Sequence, residues 1–441
     1  MTEAWVFSFI LDLFLAIFAL FARVQQGSWL APGAFFALYW SAFVILSLFA
    51  VQDFNVAPAG ILWILFAVFT VYTGTMLGSG GMLFKRVRPL QGHADSLPFY
   101  RLRHLNLPWL SHLTLICSIL GFGAVITLTW STGGLSTLLS ITSLAKMARD
   151  YSLARYGIPG YREPELAVFL FIFVYTGGLF GGTLFAIKSS KYHCLIALMP
   201  LIPAILVFAV LSTRASIYFT AVLWLAAYFS AVVGIKKGRG RLFILKLNLL
   251  AFTLVSMVLA VVMGGYVLRS GTVNLNTDVV ADLLHRASVD IFGSLPAFSQ
   301  WFKYYWCEEA APKLCAFTFT SPCAWLGISE RIRTTPVEIG PYGITTTIYT
   351  LFYGLIKDFT LVGSLIVLFI GGILAGRSFR QVARGKIAHL PILVAFYAIT
   401  LTSFTGCLFA YTTILMAWII FSGYLAFVKI RNKVVIKNRT L

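Results

Sequence analysis

From Leu195 to Ile235 the chain runs for 41 residues with a single charge, Arg214, near the centre. One bilayer crossing takes about 20 apolar residues, so this run predicts two membrane helices with an arginine at the hinge between them. The pattern recurs along the chain. Apolar stretches bounded by charged or Gly/Pro-containing segments predict eleven spans, near 5–22, 32–51, 57–78, 108–130, 165–187, 195–213, 215–235, 243–268, 355–376, 389–408 and 411–428. Within lipid a helix satisfies its own backbone hydrogen bonds, so spans of this length are expected to be α-helical. The first, Trp5 to Ala22, has no basic segment ahead of it and no clear small-residue cleavage site, and reads as a span rather than a cleavable leader. The expected fold is an all-α polytopic membrane protein, a single integral membrane domain over residues 1–441.

Composition agrees. The chain is 59% hydrophobic and 11% charged, more apolar surface than a soluble fold of this size hides. Its net charge of +19 changes meaning once the Lys and Arg residues are placed. Twenty-two of the 34 fall in one alternating set of short loops and the C-terminal tail; ten fall in the other set. Short cytoplasmic loops collect Lys and Arg, so the N-terminus is expected outside and the C-terminus in the cytoplasm. The positive charge is then mostly a topology signal, and a nucleic-acid partner is not indicated. Arg214 comes to the outer face.

Two outer segments are long, 131–164 and 269–354, and together with Glu165 at the edge of the first they hold ten of the fifteen acids. Long mixed-charge loops with apolar residues of their own are usually folded. In the first, Leu135, Leu138, Leu139 and Ile141 form an apolar stripe followed by Lys146, Arg149 and Arg155, which suits a helix lying in the interface with membrane lipid. In the second, His285, Arg286 and Asp290 fall within about one and a half turns of a helical pattern, with Arg286 and Asp290 spaced for a surface ion pair. Cys307, Cys315 and Cys323 follow; two of them can pair outside the membrane, and spacing does not say which. No histidine lies near enough to suggest a zinc site, and no metal is expected.

The chain lacks a phosphate-binding glycine loop, a nucleophile elbow, an HExxH and a CxxC, which disfavours ATP hydrolysis and nucleotide-sugar transfer; no cofactor is expected. Charges at span positions are few: Asp12 in the first, Asp53 just past the second, Lys357 and Asp358 opening the ninth. That scarcity weakens a proton-coupled transporter. What remains is a set of outer cations over an apolar core: Arg214, Arg269, Arg286, Arg331 and Arg333. Guanidinium groups grip phosphate oxygens with two prongs, which suits a lipid-linked diphosphate with its sugars in the loops. An arginine at a helix end can equally snorkel to headgroups; Ser212, Thr213 and Ser216 leave room around Arg214. Candidate bases are His285, Asp290 and Glu338, undistinguished by sequence.

Several stretches resemble the O-antigen polymerases, or oligosaccharide repeat unit polymerases, of bacterial surface polysaccharide assembly, nearest to the branch of the enterobacterial common antigen polymerase. They are STRAS at 212–216, NVAPAGIL at 55–62, IFGSLPAFSQWF and TFTSPCAWLGI in the late outer loop, and TTTIYTLFYGLIKDFTLVGS at 345–364. The chain departs from the family at Thr347, where an asparagine is usual, and at Thr360, where D-F-G reads Asp358-Phe359-Thr360. The resemblance implies a C-type (GT-C) lipid-dependent glycosyltransferase of the bacterial inner membrane, with its active site facing the periplasm. Such an enzyme moves a growing chain from undecaprenyl diphosphate onto a new undecaprenyl-diphosphate-linked repeat unit, building O-antigen, capsule or exopolysaccharide. A chain-length regulator and a flippase are the implied partners. On this expectation Arg214, His285 and Asp290 are the candidate catalytic residues. Arg269, Arg286, Arg331, Arg333, Lys146, Arg149 and Tyr349 would bind diphosphate or sugar. The rivals are an O-antigen ligase, with His285 as its external histidine, and a lipid-linked oligosaccharide flippase, against which the long 269–354 loop counts.

Overall fold

The computed structural model describes residues 3–50, 53–81, 107–132, 140–157, 163–187, 190–211, 213–235, 264–265, 277–305, 312–330, 334–340 and 343–439. Its helices are α1 (Glu3–Gln26), α2 (Pro32–Ala50), α3 (Pro58–Gly78), α4 (Leu107–Thr132), α5 (Ile141–Gly157), α6 (Glu165–Ile187), α7 (Lys191–Leu198) and α8 (Leu201–Leu211). There follow α9 (Ala215–Ile235), α10 (Thr277–Phe292), α11 (Ser294–Lys303), α12 (Thr320–Trp325), α13 (Leu351–Ala383), α14 (Leu390–Thr402) and α15 (Thr412–Arg439). A two-residue antiparallel ladder, β1 (Val337–Glu338) with β2 (Thr345–Thr346), pairs Val337 with Thr346.

Among the described residues, nine helical segments are long and apolar enough to cross a bilayer: α1, α2, α3, α4, α6, the α7–α8 pair, α9, α13 and α15. The chain is a multi-pass helical membrane protein. The expected eighth span, 243–268, lies outside the described residues apart from Gly264 and Gly265. The expected tenth is observed as α14, 13 residues or about 20 Å, short of a hydrocarbon core of about 30 Å. Its end is set by small hydroxyls that turn back on the chain, Ser403 Oγ to Thr400 O and Thr405 Oγ1 to Thr402 O, and then by Gly406 at φ 120°. The expected sixth span is interrupted at Met199–Pro200, where proline breaks the hydrogen-bond ladder.

The chain divides into two compact units, Met1–Pro98 with Ser288–Thr412, and Phe99–Ala287 with Thr413–Leu441. In the first, α3 and α13 cross on glycines. A Cβ at Gly74 would stand 3.2 Å from Gly372 Cα, and one at Gly372 would stand 2.6 Å from Val71 O and 3.2 Å from Gly74 Cα. Gly78 and Gly376, each one turn on, meet Ile373 and Thr75 in the same way. Lipid offers helices no hydrophobic reason to associate, so close backbone approach through small residues supplies the attraction. The crossing is pinned at its cytoplasm-expected end by Arg380, whose guanidinium donates to Ser79 O at 3.0 Å, and Gln26 bridges α1 to Thr75 Oγ1 (2.7 Å) and Ala34 N (3.0 Å).

The late loop belongs to the core of this unit. Ser299 Oγ accepts from Ala57 N at 3.0 Å, Gln300 Nε2 donates to Asn55 O at 2.7 Å, and Asn55 N donates to Ile339 O at 2.9 Å. Leu295, Phe298 and Ile339 join Trp40, Ile61, Ile64 and Phe352 in one buried apolar cluster. In the second unit, α6 packs on its neighbours through Gly177, Gly178, Gly181 and Gly182. A Cβ at Gly178 would meet Thr220 O of α9 at 3.0 Å, and one at Gly177 would meet Pro200 Cβ at 3.1 Å.

Helix α13 changes direction at Thr360, which sits at φ 66°, ψ 175°. That region is costly for a residue with a Cβ, by about 1–3 kcal/mol. Thr360→Gly should therefore raise the thermal midpoint of the detergent-solubilised protein, equivalent to about 1–2 kcal/mol. Gly372→Leu should do the reverse, because its side chain has no volume between Val71 O and Gly74. The expected outcome is loss of the monodisperse peak in size-exclusion chromatography.

Candidate functional site at the arginine hinge

The hinge is built from the two apolar helices that flank it. Helix α8 ends at Leu211 and α9 begins at Ala215, and Arg214 sits half-buried immediately before α9, its carbonyl accepting from Tyr218 N at 3.0 Å. Ser216 ties the helices together: its hydroxyl lies 3.3 Å from Ala204 O and 3.4 Å from Thr213 O. Thr220 Oγ1 donates to Ser216 O at 2.6 Å. Gly265 stands against this corner. A Cβ there would press on Phe208 Cε2 at 3.3 Å and make ordinary contact, 3.7 Å, with Arg214 Nε.

Helix α5 covers the end of α8. Met147 and Tyr151 pack on Val207, Val210 and Leu211, the last three residues short of Arg214. Tyr151 also donates to Glu163 Oε1 at 2.8 Å. The opposite face of α5 leaves Lys146 and Arg149 exposed. Three expected cations, Arg214, Lys146 and Arg149, therefore belong to one unit and to the two elements that meet at the end of α8. The positive end of the α9 dipole adds to them. Phe208 and Val210 are buried in the apolar packing of α8.

Other expected site residues are placed elsewhere. His285 and Arg286 are exposed on α10, with Asp290 half-buried one turn on. The division between units falls inside that helix, leaving His285 and Arg286 with the unit of Arg214 and Asp290 with the other. Tyr349 lies in the first unit, 6% exposed, its ring stacked 4.1 Å from that of Tyr353 and its hydroxyl donating to Thr335 O at 3.1 Å. Its present contacts are those of a core residue. Glu338 is exposed on β1. Arg269, Arg331 and Arg333, like Cys307, lie outside the described residues. Cys315 and Cys323 are disulfide-bonded, with their Cα atoms 6.1 Å apart, which settles the pairing that spacing left open. No cluster of metal-ligating side chains occurs among the described residues.

Two features had no place in the sequence expectations. Gly265 was one, although a Gly-Gly pair closing an apolar run is a visible signal of close backbone approach. The other is the anchoring role of Asp358, which the sequence offered as a charge opening the ninth span and as the start of the Asp358-Phe359-Thr360 segment. Its carboxylate is fully buried and accepts from Phe317 N at 3.1 Å, from Thr318 N at 2.8 Å and from the Thr318 hydroxyl. Lys313 N donates to Lys357 O at 3.0 Å, and Lys357 Nζ lies 5.4 Å from the Trp301 ring and 5.9 Å from that of Tyr353. The disulfide segment is thus fastened onto the first turns of α13. No family model, no curated protein and no solved structure matches this chain.

Removing the Asp358 carboxylate leaves two backbone N–H groups and a hydroxyl buried without an acceptor, at about 1–3 kcal/mol each. Asp358→Ala should lower the thermal midpoint strongly and make Cys315–Cys323 reducible by mild thiol treatment. Asp358→Asn, which keeps one acceptor oxygen, should lose less. Maleimide labelling after graded reduction reads both.

Proposed function

We propose that the protein is a lipid-linked oligosaccharide polymerase that uses Arg214 to stabilise a departing lipid diphosphate. The observation that carries this is the placement of Arg214: a permanent cation, half-buried, at the N-terminal end of α9, between α8 and α9, neither of which carries a charge. At the ends of two spans a guanidinium stands at the level of phosphate oxygens, which it can grip with two prongs. A diphosphate on a polyprenyl chain offers phosphate oxygens at this level and sends its apolar tail along α8, where Ile202 and Ile205 are exposed.

In the proposed step, a hydroxyl at the non-reducing end of the new repeat unit attacks the anomeric carbon of the growing chain. The new C–O bond forms as the bond to diphosphate breaks. The hydroxyl proton passes to His285 or solvent, and the negative charge that develops on the diphosphate is taken by Arg214. Electrostatic stabilisation of a leaving group is the largest contribution available without a nucleotide or metal. The Cys315–Cys323 bridge supports the outward orientation of the late loop, since disulfides persist in oxidising compartments. The likeness of STRAS and NVAPAGIL to the repeat unit polymerases is a further support.

Deletion of the gene, with lipid-linked and surface polysaccharide resolved on a gel, separates this from its rivals. Loss of long chains with single repeat units still attached to acceptor is the expected result. Long chains accumulating on the lipid carrier outside the membrane would make the protein a ligase, and repeat units trapped on the cytoplasmic face would make it a flippase. In the polymerase case Arg214→Ala should reduce chain growth by about 10²–10³-fold at normal protein levels. Arg214→Lys, a point charge without the two-pronged fork, should restore part of it. Full activity of Arg214→Ala overturns the assignment.

A further inference from the structure

Helix α1 has two faces. Phe7, Phe14, Ile17 and Leu20 are exposed along one of them, and Ser8, Leu11, Asp12, Leu15, Ala19 and Ala22 are buried along the other. Asp12 is 0% exposed, and neither carboxylate oxygen has a hydrogen-bond partner among the described residues. Ser8, one turn before it on the same stripe, is also fully buried, and its hydroxyl has no partner among them either. Asp12 is the tenth residue of a 24-residue span, about 14 Å from its start, at a depth where neither bulk water nor headgroups reach.

The facing helices supply no counter-charge. Helices α2 and α3 pack on α1, and Trp5 Nε1 donates to Leu48 O at 3.2 Å, tying the start of α1 to the end of α2. Neither helix carries an acid, lysine, arginine or histidine. Their titratable groups are two tyrosines. Tyr39 donates to Leu401 O at 3.0 Å, and Tyr72 packs its ring on Phe18 and Phe21, more than a turn of α1 away from Asp12. On α1 itself the other charges are Glu3 and Arg23, at its ends. The buried indole N–H groups of Trp40 and Trp63, in the same apolar cluster, have no acceptor among the described residues.

An ionised carboxylate without partners in such a place would cost several kcal/mol. A hard cation would require six or so oxygen ligands, and no metal-binding group occurs among the described residues. A proton is the one ligand that both neutralises the carboxylate and fits the space. We infer that Asp12, with Ser8 beside it, is a membrane-embedded proton-binding site of the first unit, and that α1 is packed against α2 and α3 only while the proton is bound. The chemistry balances simply: carboxylate and proton give a neutral carboxylic acid, and release of the proton leaves a charge that only separation of α1 from its neighbours can hydrate. The inference stands on α1 to α3 alone and is independent of the role of Arg214.

Dicyclohexylcarbodiimide, a lipid-soluble reagent that modifies protonated carboxyls, is the probe. The full chain in liposomes is treated at mildly acidic and mildly alkaline pH, and the α1 peptide is examined by mass spectrometry. The expected result is modification of Asp12 that weakens as pH rises and is lost in Asp12→Asn. The thermal midpoint of the wild type should fall between the two pH values, because deprotonation penalises only the packed state. Asp12→Asn, neutral at every pH, should keep the acidic-pH midpoint and lose the fall. An unmodified Asp12 at both pH values in the folded chain overturns the inference. So does a fall in midpoint that persists undiminished in Asp12→Asn.

Discussion

Backbone contact between helices at glycine is the constraint from which the rest of this structure follows. Water drives apolar side chains together in a soluble protein, but lipid is already apolar, so membrane helices hold one another by close van der Waals approach. In the first unit that approach occurs where Gly74 and Gly78 meet Gly372 and Gly376. The second unit uses Gly178 and Gly182 against Thr220 and Trp224. Once α3 and α13 are fixed, the segment between Asn55 and Gly60 has a defined position. Ser299, Gln300 and Ile339 can then bond to it, and the late loop becomes a folded body.

The two carboxylates buried in the first unit show how environment sorts chemically identical groups. Asp358 gathers two backbone N–H donors and a hydroxyl from a segment about forty positions earlier, and so acts as a mooring for the disulfide loop. Asp12 gathers none among the described residues, although it is equally buried. A carboxylate with three donors is part of a scaffold. One with none is a place where a small change in proton activity alters packing.

Much of the fold was legible because a run of about 20 apolar residues has one solution in lipid. The spans expected at 165–187 and 215–235 are observed as Glu165–Ile187 and Ala215–Ile235. Hydropathy cannot see where a helix stops when the stop is a local hydroxyl turn, so α14 ends at Thr402, six residues early. The glycine crossings were present in the sequence as G-x-x-x-G spacings, but their pairing joins positions three hundred residues apart. The hinge itself was legible, since Arg214 is the one charge in its run. Its companions were only partly so: Lys146 and Arg149 belong to the same unit, whereas Tyr349 is stacked in the core of the other. Asp358 was seen as a charge but not as an anchor, because its partners come from a distant loop with no periodicity to reveal them.

The order in which the units are written along the chain has a kinetic consequence. The first unit is interrupted: its opening segment runs to Pro98 and its remaining part begins at Ser288, with most of the second unit encoded between. A ribosome adding roughly 5–20 residues each second needs about 10–40 s to cross that interval. Throughout it α3 is in the bilayer with Gly74 and Gly78 facing no α13, and Asp12 sits in a bundle still lacking the late loop. The nascent protein therefore passes through a waiting state in which its most adhesive surface is uncovered, and the insertion machinery or surrounding lipid has to shield that surface until the second half arrives.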